Sequence, residues 1–127
     1  MKRVIGLGGI FFKAKDPKAL GAWYKEHLGL PVEEWGTMFS MKETLESNPG
    51  SCNLWSPFKS DSNYFEPGKK EFMFNFIVAD LKALLQALEE EGVKGVKEME
   101  ESEYGKFGWI MDPEGNKIEL WEPPVGE

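Results

Sequence analysis

Asp16-Pro17-Lys18-Ala19-Leu20 returns about 64 residues later as Asp80-Leu81-Lys82-Ala83-Leu84. Gly29 is answered by Gly92, and Asn53-Leu54-Trp55-Ser56-Pro57 by Glu119-Leu120-Trp121-Glu122-Pro123. A repeat supported at three places restricts the fold more than any composition figure. Each half must be one supersecondary unit, and the two must share a core through an approximate twofold axis. The chain therefore reads as one domain over 1–127, built from modules at about 1–57 and 71–123 with a linker at 58–70.

Local signals give each module the same order. Val4 to Ala14 reads as a strand. Asp16 is placed to cap a helix with Pro17 in its first turn, and Leu20, Trp23, Tyr24, His27 and Leu28 fall on one helical face before Gly29 ends it. Val32 to Met41 reads as two short strands bent near Gly36, and Ser51 to Ser56 as another after the Asn48-Pro49-Gly50 turn. In the second half Glu71 to Ala79 is a strand, and Asp80 caps a helix with Leu81, Leu84, Leu85 and Leu88 as its stripe. Val93 to Met99 is a further strand. Trp109 to Met111 and Lys117 to Trp121 flank Asp112-Pro113-Glu114-Gly115 as a hairpin. The tail from Pro123 to Glu127 reads as loose.

The hairpin register follows from side-chain alternation. A Pro-Glu-Gly loop sets Met111 against Lys117, Ile110 against Ile118 and Trp109 against Glu119, which keeps the isoleucines on one apolar face. Phe107, Trp109 and Trp121 then surround Glu119 on the other. In the same way alternation sorts Phe74, Phe76 and Val78 into one apolar set, opposite Met73, Asn75 and Ile77.

Composition removes several classes. Hydrophobic residues make up 41%, with five Trp and nine Phe, enough for a packed interior. A net charge of −7 disfavours nucleic acid, whose phosphates need a basic surface. No apolar run is long enough to cross a membrane, and the glycine-broken start does not suit a signal peptide, so a cytoplasmic protein is expected. The single Cys52 excludes an internal disulfide and a cysteine-based zinc cluster; a small buried role is expected for it. The glutamate-rich run from Glu98 to Glu103 suits a solvated edge.

Four stretches together resemble the vicinal oxygen chelate superfamily, the glyoxalase, bleomycin-resistance and extradiol-dioxygenase group. They are Ile10 to Asp16 (IFFKAKD), Trp23 to Leu30 (WYKEHLGL), Phe74 to Asp80 (FNFIVAD) and Asp112 to Trp121 (DPEGNKIELW). The resemblance implies an α+β fold of paired βαβββ modules whose sheets curl around a cup, and a homodimer, swapped or unswapped. It also implies a divalent metal held in the cup by four side chains, at positions that fall here on Gly9, Asn53, Met73 and Glu119. Glycine offers no donor, a thioether is soft, and an amide is neutral, so no cofactor is expected and a divalent metal is disfavoured.

What remains is Glu119 as a polar anchor or, in an enzyme, as the catalytic acid/base. The expected ligand-contacting set is Phe11, Asn53, Trp55, Met73, Asn75, Phe107, Trp109, Glu119 and Trp121. An acid among rings needs a partner, and rings stack on planar ligands or hold cations. The leading reading is a metal-independent binder of an aromatic or cationic small molecule. A glyoxalase-related lyase or isomerase, or a dioxygenase-like enzyme, using Glu119 with or without an atypical metal site, is the alternative; a non-catalytic accessory protein is the third.

Overall fold

A computed structural model describes residues 1, 3 and 7–124. Three helices and four strands follow in the order α1 (Pro17–Leu28), α2 (Met41–Ser47), β1 (Phe74–Ile77), α3 (Leu81–Glu90), β2 (Glu100–Ser102), β3 (Gly105–Met111) and β4 (Lys117–Glu122). The strands form one mixed sheet in the order β1-β4-β3-β2, with β1 parallel to β4 and the other pairs antiparallel. The fold class is thus α+β with an open, curved sheet, and the second module has the expected βαβββ order.

The repeated sequence signals act as local structure. Asp16 Oδ1 accepts from the Ala19 amide at 3.0 Å, and Asp80 Oδ1 from the Ala83 amide at 3.1 Å, so each repeat copy caps its helix. Gly29 and Gly92 both take positive φ, 69° and 84°, at the ends of these helices, where a Cβ would be strained.

Helices α1 and α3 contribute to the core on one face of the sheet. Leu20, Tyr24, Phe74, Leu81, Leu88, Ile110, Ile118 and Leu120 form that core, with Phe76 and Val78 packed against it. Each large aliphatic residue removed from water there contributes about 1.5–3 kcal/mol. Helix α3 lies close because Gly108 has no side chain: a Cβ there would come within 3.0 Å of a Leu85 methyl.

Polar contacts join the two halves. Tyr24 donates to Asp112 Oδ2 at 2.7 Å, and Asp112 also receives the Asn116 amide and the Glu114 and Asn116 backbone N–H groups. Glu114 reaches back to accept from the Lys15 and Asp16 amides at 2.7 and 3.0 Å. His27 Nδ1 lies 2.7 Å from Glu91 Oε1, linking the C-terminal ends of α1 and α3.

The first module departs from expectation. Val4 to Gly6 lie outside the described residues, and residues 7–14 carry no strand; nor does Ser51 to Ser56. Of the two strands expected between Val32 and Met41, a single bridge between Glu33 and Gly36 is present. A strand's N–H and C=O groups need a neighbouring ladder, and among the described residues the sheet ends at β1. Met41 instead opens α2, whose cap is Ser40 Oγ accepting from the Glu43 amide, a Ser-x-x-Glu signal. Alternation nevertheless survives at residues 11–14. Phe12 packs edge-on against Phe74 at 4.7 Å and Ala14 joins the core margin, while Phe11 points outward. Cys52, expected to be buried, is exposed in the same unpartnered stretch.

In the second module the strand expected at Val93 to Met99 is reduced to a bridge from Gly95 to Ile110. The ladder begins later, at β2, whose exposed Glu100 and Glu101 make a charged sheet edge. Among the described residues no helix is long and apolar enough to cross a membrane.

Candidate functional site

The face of the sheet opposite the core is set by β3 and β4. The observed register pairs Phe107 with Trp121, Trp109 with Glu119, Ile110 with Ile118 and Met111 with Lys117, as expected from alternation. β1 adds Asn75 beside Glu119 in the parallel ladder. Asp112 and Asn116 close the turn through an N–H to carbonyl bond of 2.9 Å, and Gly115 supplies its positive φ of 82°.

Glu119 is the centre of this face and is only 8% exposed. Its Oε1 accepts from Trp109 Nε1 at 3.0 Å and from the Tyr64 hydroxyl. Its Oε2 accepts from Asn75 Nδ2 at 2.7 Å. The buried carboxylate thus accepts three hydrogen bonds from neutral donors on β1, β3 and the linker, which offsets the penalty of burying it. Phe107 and Trp121 stack nearly parallel, 12° apart with centroids at 6.2 Å, and Trp121 Nε1 donates to the Tyr104 carbonyl at 2.8 Å.

Two ammonium groups border the cluster. Lys117 is 4% exposed. Its Nζ donates to the Tyr64 carbonyl at 2.5 Å and lies 5.0 Å from the Tyr64 ring centroid. Lys97 Nζ lies 4.2 Å from the Trp109 ring centroid and 2.8 Å from Glu100 Oε2. Burial, and then the nearby Lys97 charge, pull Lys117 below the usual lysine range. Burial, and then the hydrogen bond to Glu119, push the Tyr64 hydroxyl above the usual tyrosine range. Tyr64 thus acts as a donor.

Asn75, Phe107, Trp109, Glu119 and Trp121 come together on this face, and Met73 sits half-buried just before β1. Phe11 and Trp55 do not join them: they are 99% and 84% exposed in the first module. Asn53 is also exposed and makes no hydrogen bond to the cluster among the described residues. Their expected approach depended on strands that do not form among the described residues. Tyr64, Lys97 and Lys117 were not anticipated. Lys117 was legible, since alternation sets it on the face of Glu119; Tyr64 lies in a polar turn-rich linker that carries no periodicity. A recess of about 510 Å³ opens elsewhere, lined by Trp23, Pro67, Val93, Val96, Met111 and Pro113 among others.

Comparison with known proteins agrees with the architecture. A crystal structure of a member of the glyoxalase/bleomycin resistance protein/dioxygenase superfamily from Sphaerobacter thermophilus superposes with a TM-score of 0.51 at 22% identity, over 86% of this chain and 90% of that one. A protein of unknown function from Agrobacterium tumefaciens gives 0.56 at 19% identity, over 93% and 98%. A structure described as a conserved domain protein gives 0.61 at 15%, over 94% and 100%. These likenesses show the fold alone. No curated protein matches the chain. The family description "Glyoxalase-like domain" matches residues 9–121, nearly the whole molecule, and the chain belongs to that family, within the vicinal oxygen chelate superfamily.

Proposed function

We propose that this protein binds a small aromatic molecule without a metal, using the Glu119 face as its site. The observation that carries the reading is the Glu119 carboxylate held by Trp109 and Asn75 on a sheet face lined with further rings. A fixed acceptor beside aromatic surface orients a ring-bearing ligand through one polar contact and leaves most of the affinity to burial.

Metal independence is part of the proposal, and the donor set supports it. The carboxylate is surrounded by a phenol, an indole, an amide and two ammonium groups. Divalent cations of this class take several anionic or imidazole donors. Among the described residues, no three His, Cys, Asp or Glu side chains converge. The same lysines argue against a cationic ligand and favour the aromatic part of the expectation.

A homodimer belongs to the same reading. Phe11, Trp35, Met38, Phe39 and Trp55 are exposed in the module whose repeat partner forms a sheet. A second copy would cover these residues and give their backbone a ladder to join.

The test is tryptophan emission during titration of chelator-treated protein with benzene derivatives bearing hydroxyl, ammonium or no polar substituent. Saturable quenching by an uncharged derivative, unchanged by added Zn²⁺, Mg²⁺ or Mn²⁺, is expected, with the ammonium derivatives weaker. Quenching that requires one of these ions would overturn the metal-free reading.

A further inference from the structure

The linker does more than connect the modules. From Pro57 to Lys70 it turns twice, through Ser62 N–H to the Lys59 carbonyl and Glu66 N–H to the Asn63 carbonyl. This lays Tyr64 over the Glu119 face. The Tyr64 hydroxyl donates to Glu119 Oε1, and its carbonyl accepts from Lys117. Its ring stacks on Phe58 at 5.5 Å and meets Trp109 edge-on at 6.5 Å. Residues 58–63 are exposed, as are Glu66 and Pro67. The strap is thus fastened mainly by Tyr64, with half-buried Gly68 lying close to Lys117.

Resting on the binding role assigned to Glu119, we propose that Tyr64 is an internal ligand: the strap fills the site with a tethered phenol, and the molecule the site takes is a neutral, ring-bearing hydroxyl donor that displaces it. The surroundings select this chemistry. Glu119 Oε1 accepts a proton donor and repels a carboxylate. Lys97 and Lys117, at 6.0 and 5.0 Å from the Tyr64 ring centroid, favour a π face and repel an ammonium. A phenol satisfies both requirements, as Tyr64 does. An incoming phenol must compete with one hydrogen bond to a carboxylate and with the stacking on Phe58, so strap opening limits its apparent affinity.

The experiment uses the full-length chain and p-cresol, which is the tyrosine side chain without its backbone. Tyr64→Phe keeps the ring and removes the competing hydroxyl. Binding is followed by tryptophan emission, and the strap by amide hydrogen exchange of residues 58–67. We expect p-cresol to bind Tyr64→Phe about tenfold more tightly than wild type, the equivalent of roughly one hydrogen bond to a charged group. It should speed strap exchange in wild type, an arm that needs no variant. Toluene and benzylamine should do neither. If p-cresol binds wild type and Tyr64→Phe equally and leaves strap exchange unchanged, the internal-ligand proposal is overturned while Glu119 keeps its binding role. If p-cresol binds neither protein, the phenol assignment is overturned, and quenching by the other benzene derivatives then shows separately whether the site binds aromatic molecules.

Discussion

Trp109 and Glu119 face each other across the β3–β4 ladder, and the indole Nε1 donates to Glu119 Oε1 at 3.0 Å. The carboxylate and its aromatic neighbour are thus fixed by the sheet, not by a mobile loop. With Asn75 on the other oxygen, Glu119 is part of the domain's structure as well as of its proposed site.

Glu119→Gln is therefore expected to cost stability. A glutamine has one carbonyl oxygen where three donors converge, and its NH₂ group must face at least one of them. Leaving a buried donor unmatched costs about 1–3 kcal/mol. Urea unfolding should show a midpoint lowered by that free energy divided by the slope, with the slope unchanged. An unaltered midpoint would mean that the three contacts contribute little.

Tyr24 and Tyr64 predict an alkaline limit to stability. Both hydroxyls are held above the ordinary tyrosine range, first by burial and then by a hydrogen bond to Asp112 and Glu119 respectively. A raised folded-state pKa gives stability that is whole below the unfolded value of about 10 and is lost as pH rises through the folded one. Lys117, held below its usual range, works in the opposite sense, so the comparison must be between variants. Wild type should lose stability more steeply than Tyr24→Phe or Tyr64→Phe between about pH 10 and about pH 11.5. Parallel pH profiles would contradict the assignment.

Gly108 tests how closely α3 approaches the sheet. A methyl at this position would meet Leu85 at 3.0 and 3.3 Å. Gly108→Ala should destabilise the protein by about 1–3 kcal/mol through overpacking. Truncating its neighbour in Gly108→Ala/Leu85→Ala should give a coupling energy that relieves part of that cost. Strict additivity in thermal melts would point to a looser contact.

The exposed residues of the first module predict association. Sedimentation should give about twice the 14.4 kDa chain mass. Replacing both Phe11 and Trp55 with serine should weaken the dimer at least tenfold, since aromatic anchors dominate such contacts. A monomer at high concentration would contradict the homodimer.

Much of the second module was legible in the sequence because its signals are local and mutually consistent. Asp80 caps α3, alternation separates Ile118 and Leu120 from Lys117 and Glu119, and the Asp112-Pro113-Glu114-Gly115 turn fixes which residues pair. The first module carries similar signals at α1 but forms no strand among the described residues. Phe11 and Trp55 join no ladder among the described residues, so their alternation has no sheet to act in. Helix α2 was hidden because Ser40 and Glu43 follow a β-like run. Tyr64 was hidden for another reason: its contact with Glu119 spans 55 residues and leaves no periodic trace. The repeat indicated the architecture, whereas one of the three donors to Glu119, Tyr64, came from the segment between its copies.

Direct anchoring of an aromatic ligand by Glu119 is the contact on which the proposed binding role turns. Its most direct test is calorimetric titration of chelator-treated wild type and Glu119→Gln with p-cresol, both first shown to be folded by circular dichroism. Metal-free binding to wild type is expected, weakened at least tenfold in Glu119→Gln by loss of the charged acceptor. Equal affinities for the two proteins would contradict it.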